Sequence, residues 1–243
     1  MHSRHSSSAV LVTLLALVGC APSNPSIDIE GIAAPSEDCG FVPGEAFAPG
    51  GILDTSSASL EIRGSIQYVA ALQVANRIRN GGNYVYPLMA DPNTWIASEA
   101  EVELRGVDGQ ALGDLGLPAR YRVPVSGAAI SSAGGVDEPG RGIVIAEVIP
   151  AVYGDALADR EGTIVVAVRL TGTTTGDSTQ QTGEYAFPLT LCNDCLRTCR
   201  MDPLECIPPE PTGCLSLGQD NYEACLQSEI QACIDAMPPP VAP

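Results

Sequence analysis

Apolar and polar residues alternate along much of this 243-residue chain, mostly with a period of two. Ile66, Tyr68, Ala70, Leu72, Val74 and Ile78 fall at even spacing, with Gln67, Gln73 and Arg77 on the opposite side. That pattern belongs to a strand with one buried face, whereas a helix through Ile66, Ala70, Val74 and Ile78 would carry Leu72 away from the shared stripe. The same alternation runs through Leu60 to Arg63, Glu99 to Arg105, Thr163 to Thr171 and Tyr185 to Leu191. Arg120 to Val125 is a further short strand. Ile143 to Ile149 is almost wholly apolar, as expected of a strand covered on both faces. Asp155 to Glu161 reads as a short helical turn.

Turn signals separate these runs. Asp108-Gly109 marks a tight turn, Ser126 to Gly142 a Gly/Ser-rich loop, and Gly172 to Gly183 a long Thr-rich hairpin loop. Pro188 lacks an amide hydrogen, which points to an edge or bulged position for the last strand. The sum is a mainly β domain over residues 39–191, an immunoglobulin-like or related antiparallel β-sandwich. The Cys…Trp…Cys spacing of antibody domains is missing.

The N-terminus has a different texture. Arg4 precedes an apolar run from Ala9 to Val18, which is too short to span a bilayer as a helix. The run closes on Leu17-Val18-Gly19-Cys20. These residues resemble the lipobox of bacterial lipoprotein precursors, and the resemblance covers residues 1–20 alone. It implies cleavage of residues 1–19, lipid on the Cys20 sulfur and acylation of the new amine. Ala21 after the cysteine implies, by the same resemblance, an outer-membrane address. Each buried methylene contributes about 0.8 kcal/mol, so several chains anchor almost permanently. Residues 20–38 then hold three prolines and several small polar residues, the composition of a flexible tether.

Composition narrows the chemistry. The 12 basic residues are all arginine, against 29 acidic ones, and loss of Arg4 with the signal takes the formal charge from −17 to −18. Such a chain repels nucleic acid. Both histidines, His2 and His5, lie in the signal, so the mature chain has neither His nor Lys. Ser-His-Asp and Cys-His nucleophiles, His-ligated zinc, P-loops and Schiff-base lysines are thereby excluded. What remains is carboxylate chemistry, such as glycoside hydrolysis by an Asp/Glu pair. No pair stands out, no catalytic residue or metal ligand is assigned and no cofactor is expected.

With Cys20 set aside, eight cysteines remain: Cys39, Cys192, Cys195, Cys199, Cys206, Cys214, Cys225 and Cys233. An even number in an exported chain reads as disulfides. Seven lie between 192 and 233, so full pairing sends one of them to Cys39; the other pairings stay open. The 192–237 segment is too small to bury a core and needs such staples. Cys192-Asn193-Asp194-Cys195 has the spacing of thioredoxin-like redox sites, but its context is β rather than βαβ. A Cys₄ zinc site fits the spacing loosely, and exported thiols oxidise first. Asp220 or Asn221 can cap a helix running to about Ala236. Cys225 and Cys233 would then stand about 12 Å apart along its axis, beyond the roughly 7 Å Cα reach of a disulfide. Residues 238–243 form a Pro-rich tail.

The expected function is a non-catalytic envelope module, held to the membrane by lipid and meeting a protein or polysaccharide partner. The 80–95 connection carries Tyr84, Tyr86 and Trp95, which either form a binding loop or cover one end of the core. Two alternatives are a glycan-active enzyme using two carboxylates and a calcium-dependent adhesion module. The second would draw on acids such as Asp91, Asp137, Glu138, Asp155, Asp159 and Glu161, although no EF-hand pattern is present.

Overall fold

The structure is a computed structural model that describes residues 26–36, 40–57, 64–79, 91–127, 129–132, 138–196, 231–233 and 235. Its strands include β1 (Ile27–Ala33), β2 (Phe47–Ala48), β3 (Gly51–Asp54), β4 (Tyr68–Asn76), β5 (Trp95–Gly106), β6 (Arg120–Gly127), β7 (Gly140–Ile149), β8 (Gly162–Thr174), β9 (Thr179–Gln181) and β10 (Tyr185–Cys192), and a short helix, α1 (Ala151–Ala156), follows β7. The class is mainly β, as the alternation predicts. One sheet path runs β2-β1-β4-β7-β6-β5-β8-β10-β3, with β9 added beside β8. All described pairings are antiparallel except that of β10 with β3.

The path folds back on itself through β6. Residues 120–124 of that strand pair with β5, and 125–127 pair with β7. Pro124, which has no N–H to give, stands at the handover. Across the resulting core, Tyr68 of β4 meets Phe187 of β10 with ring centroids 6.3 Å apart. Its hydroxyl sits where a side chain on Gly51 of β3 would have to go. Tyr68, Ala70, Leu72 and Val74 of β4 enter one cluster with Val102 and Leu104 of β5 and with Val166, Val168 and Leu170 of β8.

Helix α1 caps this core. Gly154 packs so closely that an added Cβ would lie 1.8 Å from the Ile66 carbonyl oxygen. Tyr153 stacks on Tyr121 at 3.8 Å and donates to the Pro118 carbonyl at 2.8 Å.

Several expectations change. Residues 27–33 are not tether: Ile27, Ile29 and Ile32 are buried, and β1 pairs with both β4 and β2. The alternation of Ile27 and Ile29 with Asp28 and Glu30 is a strand signal that the flanking Pro/Ser composition hides. Strand β7 is covered on one face rather than two, with Ile143 and Ile145 only half-buried, because no layer of described residues lies over its outer face. The helical turn begins at Ala151, right after Pro150, rather than at Asp155. β10 is internal, not an edge. Pro188 is tolerated because pairing with β3 starts one residue later, at Leu189. The 172–183 loop is shorter than expected, since β8 runs on to Thr174 and β9 pairs back onto it. The expected strand at 60–63 lies outside the described residues, as do the signal and most of the C-terminal segment. Residues 231–233 and 235 of that segment are helical, within the helix expected there.

Candidate binding site

The alternation that buries Ile27 and Ile29 turns Asp28 and Glu30 to the other face of β1, and a register shift between Ile29 and Gly31 sets Glu30 apart from the ladder. There Glu30 gathers groups from two neighbouring strands. Arg141 of β7 donates through Nε at 2.8 Å and Nη2 at 3.2 Å, a two-pronged grip on the carboxylate. Arg77, just past β4, donates at 3.2 Å, and the Gln73 amide of β4 donates at 2.7 Å. The other end of the Gln73 amide accepts from the Gly44 N–H at 2.7 Å, which ties the β1–β2 connection to the same network.

Burial alone would raise the Glu30 pKa. Hydrogen bonds from Arg141 and Gln73, with the charges of Arg141 and Arg77, outweigh it and hold the group below the usual carboxylate range. The side chain is therefore ionised. Asp28 stands 4.0 Å from Arg77, so two carboxylates face two guanidiniums and the local charge cancels.

Phe47 of β2 completes the wall. Its ring lies on the bare Cα of Gly31, where a Cβ would fall 2.4 Å from a ring carbon, and it keeps 48% of its surface exposed. Between Phe47, Glu30, Gln73 and Arg141 lies an open, mostly polar depression of about 540 Å³. It offers an aromatic surface, the Asp28 carboxylate as acceptor and the Arg141 Nη1 amine as donor, which no described residue engages.

The residues singled out from sequence lie elsewhere. Trp95 is not on an exposed loop. It opens β5, its backbone pairs with Ile130 and Thr174, its indole is fully buried against Gly172, and its Nε1 has no partner among the described residues. Tyr84 and Tyr86 lie outside the described residues. Asp91 turns inward: its carboxylate accepts from the amides of Asn93 and Ser132 and from the hydroxyls of Ser132 and Thr94. Despite burial, those bonds lower its pKa. Asp155 belongs to α1, and Asp159 takes a positive φ of 56° in the turn after it. Among the described residues no three His, Cys, Asp or Glu side chains stand where they could hold a metal ion.

Cys192 and Cys195 form a disulfide. The loop it closes docks on the end of β3: the Asp194 amide donates to Asp54 Oδ1 at 3.0 Å, and the Thr55 amide donates to the Cys192 carbonyl at 2.8 Å. Cys233 is also disulfide-bonded. Cys39, Cys199, Cys206, Cys214 and Cys225 lie outside the described residues, as does Cys20.

A second charged surface covers the outer face of β5, β6, β8 and the start of β10. Glu99 pairs with Arg122, Glu101 with Arg120 and Arg122, Glu103 with Arg105 and Arg120, and Glu184 with Arg105 and Arg169. Hydrogen bonds from Arg105 and Arg120 hold Glu103 down at about 2. Arg105 lowers Glu184 in the same way. In comparison with known proteins, the sequence matches no family model and no curated protein.

The depression escaped sequence reading because its parts are distant. Glu30 and Arg141 are 111 residues apart in the chain. The one local signal was Phe47, an aromatic among Gly, Pro and Ala, two of whose neighbours, Ala48 and Pro49, also line an apolar groove with Ile32 and Ile52.

Proposed function

We propose that this protein is an exported, lipid-anchored module of the bacterial envelope that binds a partner rather than transforming it. The observation that carries the address is Leu17-Val18-Gly19-Cys20 at the end of a short apolar run. The mature chain's lack of His and Lys supports the non-catalytic part. So do those carboxylates, among the described residues, whose pKa is shifted. Glu30, Asp91, Glu103, Asp114 and Glu184 are all shifted downward, which keeps them ionised at neutral pH. A glycosidase needs one carboxyl group shifted the other way, to serve as general acid. The folded-over sheet fits the sandwich reading, with β6 shared between its two halves, and the disulfides suit an oxidising compartment.

Cys20→Ser tests the anchor. The wild-type chain should fractionate with the membrane and partition into detergent, and the variant should appear in the soluble extracytoplasmic fraction. Retention of the variant in the membrane would sink the reading.

A further inference from the structure

We propose that the depression over β1 and β4 is a binding site for a neutral oligosaccharide. This rests on the reading of the protein as a binding module and names the chemical class it takes.

Sugar rings present two kinds of surface: a face of C–H groups that packs on aromatic rings, and an equator of hydroxyls that donate and accept hydrogen bonds together. The depression supplies a counterpart for each. Phe47 offers one open ring face, held in place because its other face rests on Gly31. Three residues before Gly31, the Asp28 carboxylate is a partly exposed acceptor, and Arg141 keeps Nη1 unengaged among the described residues while Nε and Nη2 grip Glu30. That grip fixes the guanidinium plane, so little side-chain freedom is lost when a ligand arrives.

The charge balance selects among ligands. Asp28 and Glu30 oppose Arg77 and Arg141, so the site has no net charge with which to draw an ion in. The molecule around it is strongly acidic and repels polyanions. A neutral, hydroxyl-rich ligand meets neither penalty. The open shape of the depression, about 540 Å³, suits a few units of a longer chain passing across it rather than an enclosed small molecule.

The test uses the oxidised mature chain, titrated to millimolar concentrations with maltohexaose, cellohexaose and chitohexaose, and followed by ¹H–¹⁵N and aromatic NMR. At least one sugar should bind saturably and shift the Gly44 amide, the Arg141 Nε–H and the Phe47 ring together. Phe47→Ala should weaken that binding about tenfold or more, while Phe47→Tyr, which keeps the ring, should retain it. Arg141→Gln serves as a second variant, because Gln73 and Arg77 still hold Glu30; it should also lose affinity with its melting temperature near wild type. Arg160→Gln, whose side chain pairs with Asp114 away from the site, should leave affinity unchanged. No shift with any sugar, or binding indifferent to both Phe47→Ala and Arg141→Gln, would overturn the proposal. The same shifts produced by hexalysine and by none of the sugars would also overturn it, in favour of a basic protein partner. Release by Cys20→Ser alongside a failed titration would leave the anchored-module reading standing and remove only the sugar.

Discussion

Asp54 ends β3 with no solvent exposure, and its Oδ1 accepts from the Ser56 amide at 2.9 Å and the Asp194 amide at 3.0 Å. Truncating it would strip the buried Ser56 amide of its acceptor, at about 1–3 kcal/mol, and the part-buried Asp194 amide of its own at a smaller cost. Asp54→Ala should therefore destabilise the domain by roughly 3 kcal/mol in urea melts, and amide exchange should speed up at Asp194 before it does in β8. Unchanged exchange at Asp194 would mean the disulfide and the Thr55 bonds to Cys192 hold that loop without Asp54. Gly154 is constrained in another way. Its φ is ordinary, but the Ile66 carbonyl occupies the place of any side chain. Gly154→Ala should cost about 3 kcal/mol through forced displacement of α1, and a variant within 0.5 kcal/mol of wild type would show that the helix shifts freely. Neither residue could be singled out from sequence, because each owes its role to a backbone atom brought in from a distant stretch.

At the scale of elements, β1 carries the clearest lesson. Removing residues 21–34, which composition alone marks as tether, would uncover β4 and take Ile27, Ile29 and Ile32 out of the core. At about 1.5–3 kcal/mol for each buried side chain, that is most of a typical domain's stability. A chain starting at Pro35 should fail to unfold cooperatively in calorimetry, whereas a chain starting at Pro25 should melt like wild type. Strands β4, β5, β8 and β10 were legible because each is long enough for period two to stand out over its neighbours. β1 was not, because its alternation is brief and sits among Pro and Ser. The shared role of β6 was hidden for a different reason: pairing partners are a tertiary choice, and nothing local in Arg120 to Gly127 states that residues 120–124 and 125–127 answer to different strands. The depression is harder still to foresee, since it needs the β1–β4–β7 order before Glu30, Gln73 and Arg141 become neighbours.

For the whole molecule, acidity and arginine usage set the response to pH. Glu103 is held at about 2, against an ordinary 4.5. Because its folded value is depressed, its contribution is complete above about pH 4.5 and disappears as the pH falls toward 2. Glu30 and Glu184 shift the same way. The melting temperature should thus be flat from about pH 7 to pH 5 and drop below that, and Glu103→Gln should flatten the drop while costing about 1 kcal/mol at neutral pH. A melting temperature that rises on acidification would show that relief of the overall negative charge outweighs the ion pairs. The position of β1 has one more consequence, which is mechanical. Ile27 lies seven residues past Cys20, so on the proposed anchoring the domain would stand no more than about 25 Å from a lipid on that cysteine. Tension between that lipid and a ligand on Asp28 and Phe47 would enter the fold at Ile27 and leave it within the same strand and its β2 neighbour. Its hydrogen bonds to β4 would share the pull along their whole length. The load would bypass β8 and β10 and fall on β1 and its pairing with β4.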